Sequence, residues 1–130
     1  MTDKQARQCF VRQSSFDELL DDLTPAQQTI CTVLRQQVLA LPEFLSEVVW
    51  RAQKRVTYGL IRGDAAVADN FAYISIDHEV RLGFYYAGAL DDPAGLLSDQ
   101  GTVVIANSKT GTQAALADLL MAALLQRKHA

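Results

Sequence analysis

Catalytic and cofactor-binding motifs are scarce in this sequence. The two cysteines, Cys9 and Cys31, form no CxxC pair and have no histidine near them in sequence, so no zinc set is predicted. The seven glycines are scattered and form no phosphate-binding loop, and no serine lies in a G-x-S-x-G context. We therefore predict no catalytic residues and no resident cofactor, and an enzyme of unknown reaction is the least supported hypothesis.

A concentrated basic surface is also missing. The chain has 12 Lys and Arg against 15 Asp and Glu, which gives a formal net charge of −3 at pH 7. The one basic run, Arg51, Lys54 and Arg55, is short and is interpreted as a solvated strand end. Because nucleic-acid binding depends largely on positive charge facing phosphates, we do not expect nucleic acid as a partner.

Long apolar runs are lacking as well. The longest, Ala114 to Leu125, contains Asp118 and is shorter than the roughly 20 residues that cross a bilayer. Residues 1–10 hold no apolar core of a signal peptide. We therefore expect no membrane partner, two reduced thiols and a cytoplasmic protein.

The composition is that of one globular domain, with 130 residues, 49% hydrophobic and 21% charged. Apolar residues at three- and four-residue steps predict helices, and caps mark their starts. Ser15 and Glu18 have capping-box spacing, Thr24 precedes a proline, and Thr112 precedes the last periodic stretch. The predicted helices span 16–22, 25–41 and 113–127.

Strands are predicted where apolar residues alternate or form short runs bounded by polar turns. The polar turn 77–79 joins two strands into a hairpin. Alternation puts Val80, Leu82, Phe84 and Tyr86 on one face and Arg81, Gly83 and Tyr85 on the other. The predicted strands span 48–50, 56–61, 71–76, 80–86 and 101–106. Asp92 and Pro93 predict one helical turn over 94–97, and residues 107–111 are predicted as a loop.

Grouped helices and hairpin-linked strands predict an α+β fold. We expect an antiparallel sheet of about five strands covered on one face by the N- and C-terminal helices. Residues 1–13 are predicted as a loose N-terminal arm and residues 14–130 as a single domain.

Several of these residues together resemble a known family. Trp50, the Tyr58-Gly59 pair, the RLGF of 81–84 and the LxDPxGLL of 90–97 are similar to the YdhG-like family, a domain of unknown function. The resemblance covers about residues 16–127. It implies a compact α+β domain without an assigned activity, and one branch of the family is linked to frataxin-like iron handling.

The sequence departs from that family pattern in two places. Many members carry a Gly-x-Pro stretch after the tryptophan, where this chain has residues 51–54, RAQK. Many also follow the Leu-Leu turn with Gly-Lys and a basic strand, where this chain has residues 98–106, SDQGTVVIA. A ligand held by those basic residues in relatives is therefore not expected here.

The first predicted helix carries four acidic residues, Asp17, Glu18, Asp21 and Asp22. Carboxylates one helical turn apart can hold a hard cation or iron through oxygen ligands. The alternative interpretation is that they form a solvated face favoured at a helix N-terminus. The resemblance makes an iron-binding, frataxin-like chaperone the second functional hypothesis, with iron as its cofactor.

Several aromatic residues crowd the predicted sheet, namely Trp50, Tyr58, Tyr73, Tyr85 and Tyr86. Aromatics on one side of a sheet can line a cleft for a ring-bearing ligand, although they more often pack in a core. Arg81 lies opposite the apolar face and could meet an anionic ligand or a partner. The leading hypothesis is therefore a cytoplasmic binding or protein-interaction domain, with candidate ligand-binding residues Trp50, Tyr58, Arg81 and Tyr85.

The final helix suggests self-association. Its leucines occupy one stripe, and alanines cover much of the remaining surface, which would allow a second helix to approach closely. Two-fold pairing is the commonest arrangement of soluble homo-oligomers, so we expect a homodimer through this helix or a sheet edge. His78, in the hairpin turn, is interpreted as a surface residue, and Asp92 as a helix cap rather than a catalytic acid.

Overall fold

The computed structural model describes residues 14–61 and 69–129; the predicted arm, residues 1–13, lies outside them. These residues form a five-stranded antiparallel sheet with helices before and after it, so the predicted α+β class is confirmed. In chain order the elements are α1 (Phe16–Leu20), α2 (Pro25–Leu39), β1 (Leu45–Trp50), β2 (Arg55–Leu60), β3 (Asp69–Ile76), β4 (Val80–Phe84), a 3-10 turn (Ala87–Ala89), β5 (Thr102–Val104), α3 (Ser108–Gly111) and α4 (Ala114–Lys128).

Capping boxes begin the first two helices. The Ser15 hydroxyl accepts a hydrogen bond from the Glu18 amide at 3.1 Å, and the Glu18 carboxylate accepts one from the Ser15 amide at 2.9 Å. Thr24 and Gln27 make the same exchange at the start of α2. Each box satisfies two backbone donors that a helix start leaves unpaired. Helices α1 and α2 each end two residues before their predicted ends, within the usual fraying of helix termini.

The sheet is a meander in which each strand pairs with the next one along the chain, in the order β1-β2-β3-β4-β5. Strands β1 and β5 are therefore the two edges. The register across β3 and β4 places Tyr73 opposite Gly83 and Ser75 opposite Arg81. A bulge between Tyr58 and Gly59 shifts the pairing of β2 with β3, and such an extra residue increases the local twist.

One face of the sheet packs under the helices. Val80, Leu82 and Phe84 of β4 are at most 4% exposed, which confirms the predicted face for these three residues. The prediction is wrong for Tyr86, because β4 ends at Phe84 and Tyr86 is 43% exposed in the turn that follows. Helices α2 and α4 complete this core, each with one apolar side. Their buried residues are Ile30, Cys31, Leu34, Val38, Leu116, Leu119, Leu120, Ala123 and Leu124.

The predicted helical turn after Pro93 is wrong. Gly95 has φ +66°, a left-handed conformation that a right-handed helix cannot continue through. Asp92 braces a non-helical turn instead, because its two carboxylate oxygens accept the amides of Leu96 at 3.0 Å and Leu97 at 2.9 Å.

The boundaries of β5 and α4 also differ from prediction. Strand β5 is shorter than predicted, and a short helix, α3, replaces the predicted loop with Asn107 as its N-cap. Thr112 does not cap α4, because its hydroxyl donates to the carbonyl of Ser108 at 3.2 Å at the end of α3. Gln113 occupies the N-cap position of α4 without a side-chain cap. Within residues 14–61 and 69–129, no helix has both the length and the apolarity needed to span a membrane.

We expect Phe84→Ala to lower the free energy of unfolding by roughly 3–5 kcal/mol, because truncating a buried aromatic residue leaves a cavity. Urea denaturation measures this loss. Val104→Ala is the control, since Val104 in the neighbouring strand is 45% exposed and its truncation should change stability by less than about 0.5 kcal/mol. Equal losses for both variants would contradict the assignment of the buried face.

We expect Asp92→Ala to lower the free energy of unfolding by about 1–3 kcal/mol, because two backbone amides lose a charged acceptor. Asp91→Ala is the matched control, since Asp91 is an exposed neighbour of the same charge, and it should leave stability nearly unchanged. A loss in the control as large as that in Asp92→Ala would rule out the bracing role.

Candidate functional site

The sheet surface opposite the helices, here called the open face, carries a different set of side chains from the core face. Strand alternation and the register assign to it Ser46, Val48, Trp50, Arg55, Thr57, Tyr73, Ser75, Arg81, Gly83, Thr102 and Val104. Aromatic, hydroxyl and arginine side chains predominate. The predicted ligand-binding residues Trp50 and Arg81 both lie here.

Three side chains, from β2, from β3 and from the residue that follows β4, stack on the open face. The Arg55 guanidinium carbon lies 4.3 Å from the centre of the Tyr73 ring, a cation–π contact. The ring centres of Tyr73 and Tyr85 are 5.1 Å apart, with an angle of 57° between the planes, a tilted arrangement that aromatic pairs favour. The predicted residue Tyr85 therefore belongs to the same cluster.

The position of Tyr73 depends on the glycine opposite it. A Cβ added at Gly83 would lie 2.1 Å from Cζ of Tyr73, so the ring lies flat across the glycine backbone. Beside this stack, Trp50 Nε1 donates to the Thr57 hydroxyl at 3.3 Å. The open-face cluster is therefore Trp50, Arg55, Thr57, Tyr73 and Tyr85.

Burial and charge act in opposite directions on Tyr85. Partial burial raises the pKa of its phenol, while the charge and hydrogen bond of Arg55 lower it. Burial is the larger effect, so the phenol stays protonated at neutral pH and is available as a hydrogen-bond donor.

Arg81 lies on the open face but is already engaged. Its guanidinium donates to Asp77 at 2.9 Å and to Glu79 at 2.6 Å. The amide of Glu79 and the guanidinium of Arg81 together lower the pKa of Asp77. Arg81 therefore closes the β3–β4 hairpin. His78, in the same turn, has 83% of its side chain exposed, as expected for a surface residue.

The placement of Tyr58 with the other ligand-binding candidates is wrong. Tyr58 lies on the core face and is 0% exposed. Its hydroxyl donates to Glu47 at 2.9 Å, and Glu47 receives two further bonds from Arg35, at 2.8 and 2.9 Å. A buried carboxylate on the neighbouring strand holds the phenol inward, where no open-face ligand would reach it.

The two buried acidic groups near this network are poor nucleophiles. Burial raises the pKa of the Cys31 thiol to about 12. Burial, followed by the charge and hydrogen bond of Glu47, raises the pKa of Tyr58 well above its usual value. Both groups are therefore protonated at neutral pH, and neither is poised to attack a substrate.

Two of the four acidic residues proposed for iron have structural partners. Asp22 forms two bonds with Arg51, at 2.8 and 3.0 Å, and these lower its pKa. Glu18 forms the capping box and lies 3.5 Å from Arg51. Asp17 and Asp21 are exposed. In the part of the chain that the structure describes, no three His, Cys, Asp or Glu side chains are grouped to hold a metal.

A small groove of about 260 Å³ lies between the Asp92-Pro93 turn and the alanine face of α4, lined by Asp91, Asp92, Pro93, Ala94, Ala115, Asp118, Leu119 and Ala122. The turn therefore lies against part of the helix surface that was expected to pair with a second copy. The homodimer stays a prediction. Sedimentation equilibrium tests it by measuring the molar mass of the protein in solution.

Arg55 and Tyr73 are the functional candidates that sequence reasoning missed. Arg55 was interpreted as part of a solvated basic run, and Tyr73 as one of several sheet aromatics. The two-residue alternation of β2 could have identified Arg55, since it shares a face with Thr57, while Val56, Tyr58 and Leu60 share the other. The same alternation places Tyr58 in the core.

We expect the free energy of unfolding to fall as pH rises from about 9 towards 12. The ordinary thiol pKa is 9.0, and burial raises that of Cys31 to about 12; the unfolded chain therefore releases this proton first, and stability decreases over that window. Urea denaturation between pH 8 and pH 11 measures the slope. Cys31→Ala should make the slope of stability against pH less steep between pH 9 and 10. Tyr58→Phe should make the slope less steep above pH 10. Unchanged slopes in both variants would contradict the burial effect.

Comparison with known proteins found no matching family model, no matching curated protein and no matching solved structure. The resemblance to the YdhG-like family therefore stays a prediction that rests on the motif residues alone.

Proposed function

We propose that this protein is a binding domain that holds a small aromatic ligand on the open face of its sheet. The observation that carries the proposal is the stack of Arg55, Tyr73 and Tyr85, which lies outside the helix-covered core. Tyr85 is 41% exposed, so part of its ring is available to a further flat group. Stacking on tyrosine and hydrogen bonding to its phenol suit a planar ligand with a polar edge.

A binding role is favoured over catalysis by the chemistry of the described residues. Cys31 is buried with a raised pKa, and His78 is in an exposed turn beside a carboxylate that also binds Arg81. A nucleophile next to an oriented base, which covalent catalysis requires, is not found in residues 14–61 and 69–129.

An iron chaperone remains the alternative. Glu18 and Asp22 would have to exchange their bonds with Arg51 for bonds to the metal. Binding iron there would compete with a contact between α1 and the turn after β1, which makes this alternative weaker than the open face.

The test of the binding role is chemical-shift mapping with two probes that share one ring system, 2-naphthoate and 2-naphthamide. We expect saturable shifts of backbone amides at Arg55, Tyr73 and Tyr85 and of the indole N–H of Trp50, the only tryptophan of the chain. The amides of Ala115 and Ala122, which line the α4 groove, should shift little.

A matched pair of variants tests the same surface. Tyr85→Ala should weaken binding of both probes at least fivefold, because the stack loses its outer ring. Tyr86→Ala is the control: Tyr86 is 43% exposed, but its ring lies against Arg127 of α4. If neither probe produces saturable open-face shifts up to about 5 mM, or if the two variants behave alike, the proposed function is wrong.

A further inference from the structure

The described residues include five arginines, and four of them hold a carboxylate. Arg35 binds Glu47, Arg51 binds Asp22, Arg81 binds Asp77 and Glu79, and Arg127 binds Asp69. Arg55 forms no ion pair within the described part of the chain; its strand partners are Trp50 and Ser75.

Arg55 also differs from the other two arginines that stack on aromatic rings. Arg35 lies 4.9 Å from the centre of the Phe16 ring and Arg127 lies 4.1 Å from that of Tyr86. Both of these guanidinium groups also bind a carboxylate through their N–H edge. Arg55 has the same stacking contact with Tyr73 at 4.3 Å, but its N–H edge has no carboxylate among the described residues.

The neighbours of Arg55 leave that edge without a competing acid. Its partner across β2 and β3 is Ser75, and Arg81 follows on β4, about 10 Å away at the usual spacing of strands. Asp77 and Glu79, the acids on this side of the hairpin, are bonded to Arg81. A carboxylate from outside the protein would therefore not be repelled by a free acid in the stack.

Stacking also prepares Arg55 for one geometry of ligand. The ring of Tyr73 covers one face of the Arg55 guanidinium. The five N–H donors lie in the guanidinium plane, so they point outwards from its edge. Two parallel N–H groups match the two oxygens of a carboxylate or phosphate. Because the Arg55 side chain is already held by the stack, binding a ligand would cost less of its rotational entropy.

We propose that Arg55 is the anion-binding residue of the open face and that the ligand is a small aromatic acid, with its carboxylate or phosphate on Arg55 and its ring against Tyr85. This inference rests on the proposed function and adds the chemical class of the ligand. The Tyr85 phenol, which is protonated at neutral pH, supplies a second donor beside the guanidinium.

A nucleic acid fits this surface less well than a small acid. Arg81 is neutralised by two carboxylates, and the whole chain carries a net charge of −3. Binding of a strand depends on several unneutralised cations along the backbone, whereas one small acid needs only Arg55.

The test compares the affinities of the two naphthalene probes by calorimetry at low salt and by the shift titration described above. The probes differ in the charged group alone. We expect 2-naphthoate to bind at least tenfold more tightly than 2-naphthamide, and 2-naphthyl phosphate measures which of the two anionic groups is preferred. Equal affinity of naphthoate and naphthamide at the open face would overturn the inference while leaving the proposed function standing.

Variants at Arg55 locate the effect. Arg55→Gln should bring the two probes to within about twofold of each other, because the charge is removed. Arg55→Lys keeps the charge but lacks the planar fork, so most of the preference should also be lost. Lys109→Gln is the control for net charge, since Lys109 is exposed on α3, and it should leave the preference unchanged.

Three outcomes would overturn the assignment to Arg55. One is a naphthoate preference that survives Arg55→Gln in a variant whose urea midpoint matches the parent. Another is tighter binding of an eight-residue uridine oligonucleotide than of naphthoate, which would identify single-stranded nucleic acid as the ligand class. Loss of the preference in Lys109→Gln as well would indicate attraction by net charge and would also reject a specific site.

Discussion

The two-residue period of the strands is the constraint on which both surfaces of the sheet depend. Successive side chains point to opposite faces, so each residue that enters the core sends its neighbours to the other side. Leu82 packs under the helices, and Arg81 and Gly83 are therefore on the open face. Since α2 and α4 pack on one face, the stack of Arg55, Tyr73 and Tyr85 forms outside the hydrophobic core.

Glu47 is a charged residue on the core face, and its hydrogen bonds fix the register of β1. It points into the core from the edge strand β1, is only 8% exposed, and receives bonds from Arg35 and Tyr58. A slip of β1 by one residue would move Glu47 to the open face and leave Arg35 and Tyr58 without their acceptor. An inward-pointing charge also makes an edge strand a poor template for pairing with another chain.

Much of the fold could be predicted because its signals are local. Alternation identified the buried face of β4, a capping box located the start of α1, Thr24 and Pro25 located that of α2, and the short turn 77–79 identified a hairpin. The turn after Pro93 could not be predicted in the same way, since Asp92 and Pro93 are equally suited to start a helix. The left-handed backbone at Gly95 decides against it, and that conformation depends on how the chain returns to β5.

The candidate site was harder to predict because its residues are defined by their partners. Alternation separates Tyr58 from Tyr85, but the acceptor that holds the Tyr58 hydroxyl in the core is Glu47, 11 residues earlier in the chain. The availability of Arg55 also depends on contacts made elsewhere. Arg35, Arg51 and Arg127 find carboxylates 12, 29 and 58 residues away, separations at which sequence patterns alone do not predict pairs.

The carboxylates bound to Arg35, Arg51 and Arg127 join parts of the fold that are distant in sequence. The Arg35 pair joins α2 to β1, the Arg51 pair joins the end of α1 to the turn after β1, and the Arg127 pair joins α4 to β3. Two of these pairs connect a helix to a strand and the third connects the loops that follow α1 and β1, contacts that no backbone ladder supplies. Arg55 and its partner Tyr73 lie on adjacent strands that the ladder already holds together. No acid among the described residues is bonded to Arg55, and we propose that its stacked charge serves in recognition.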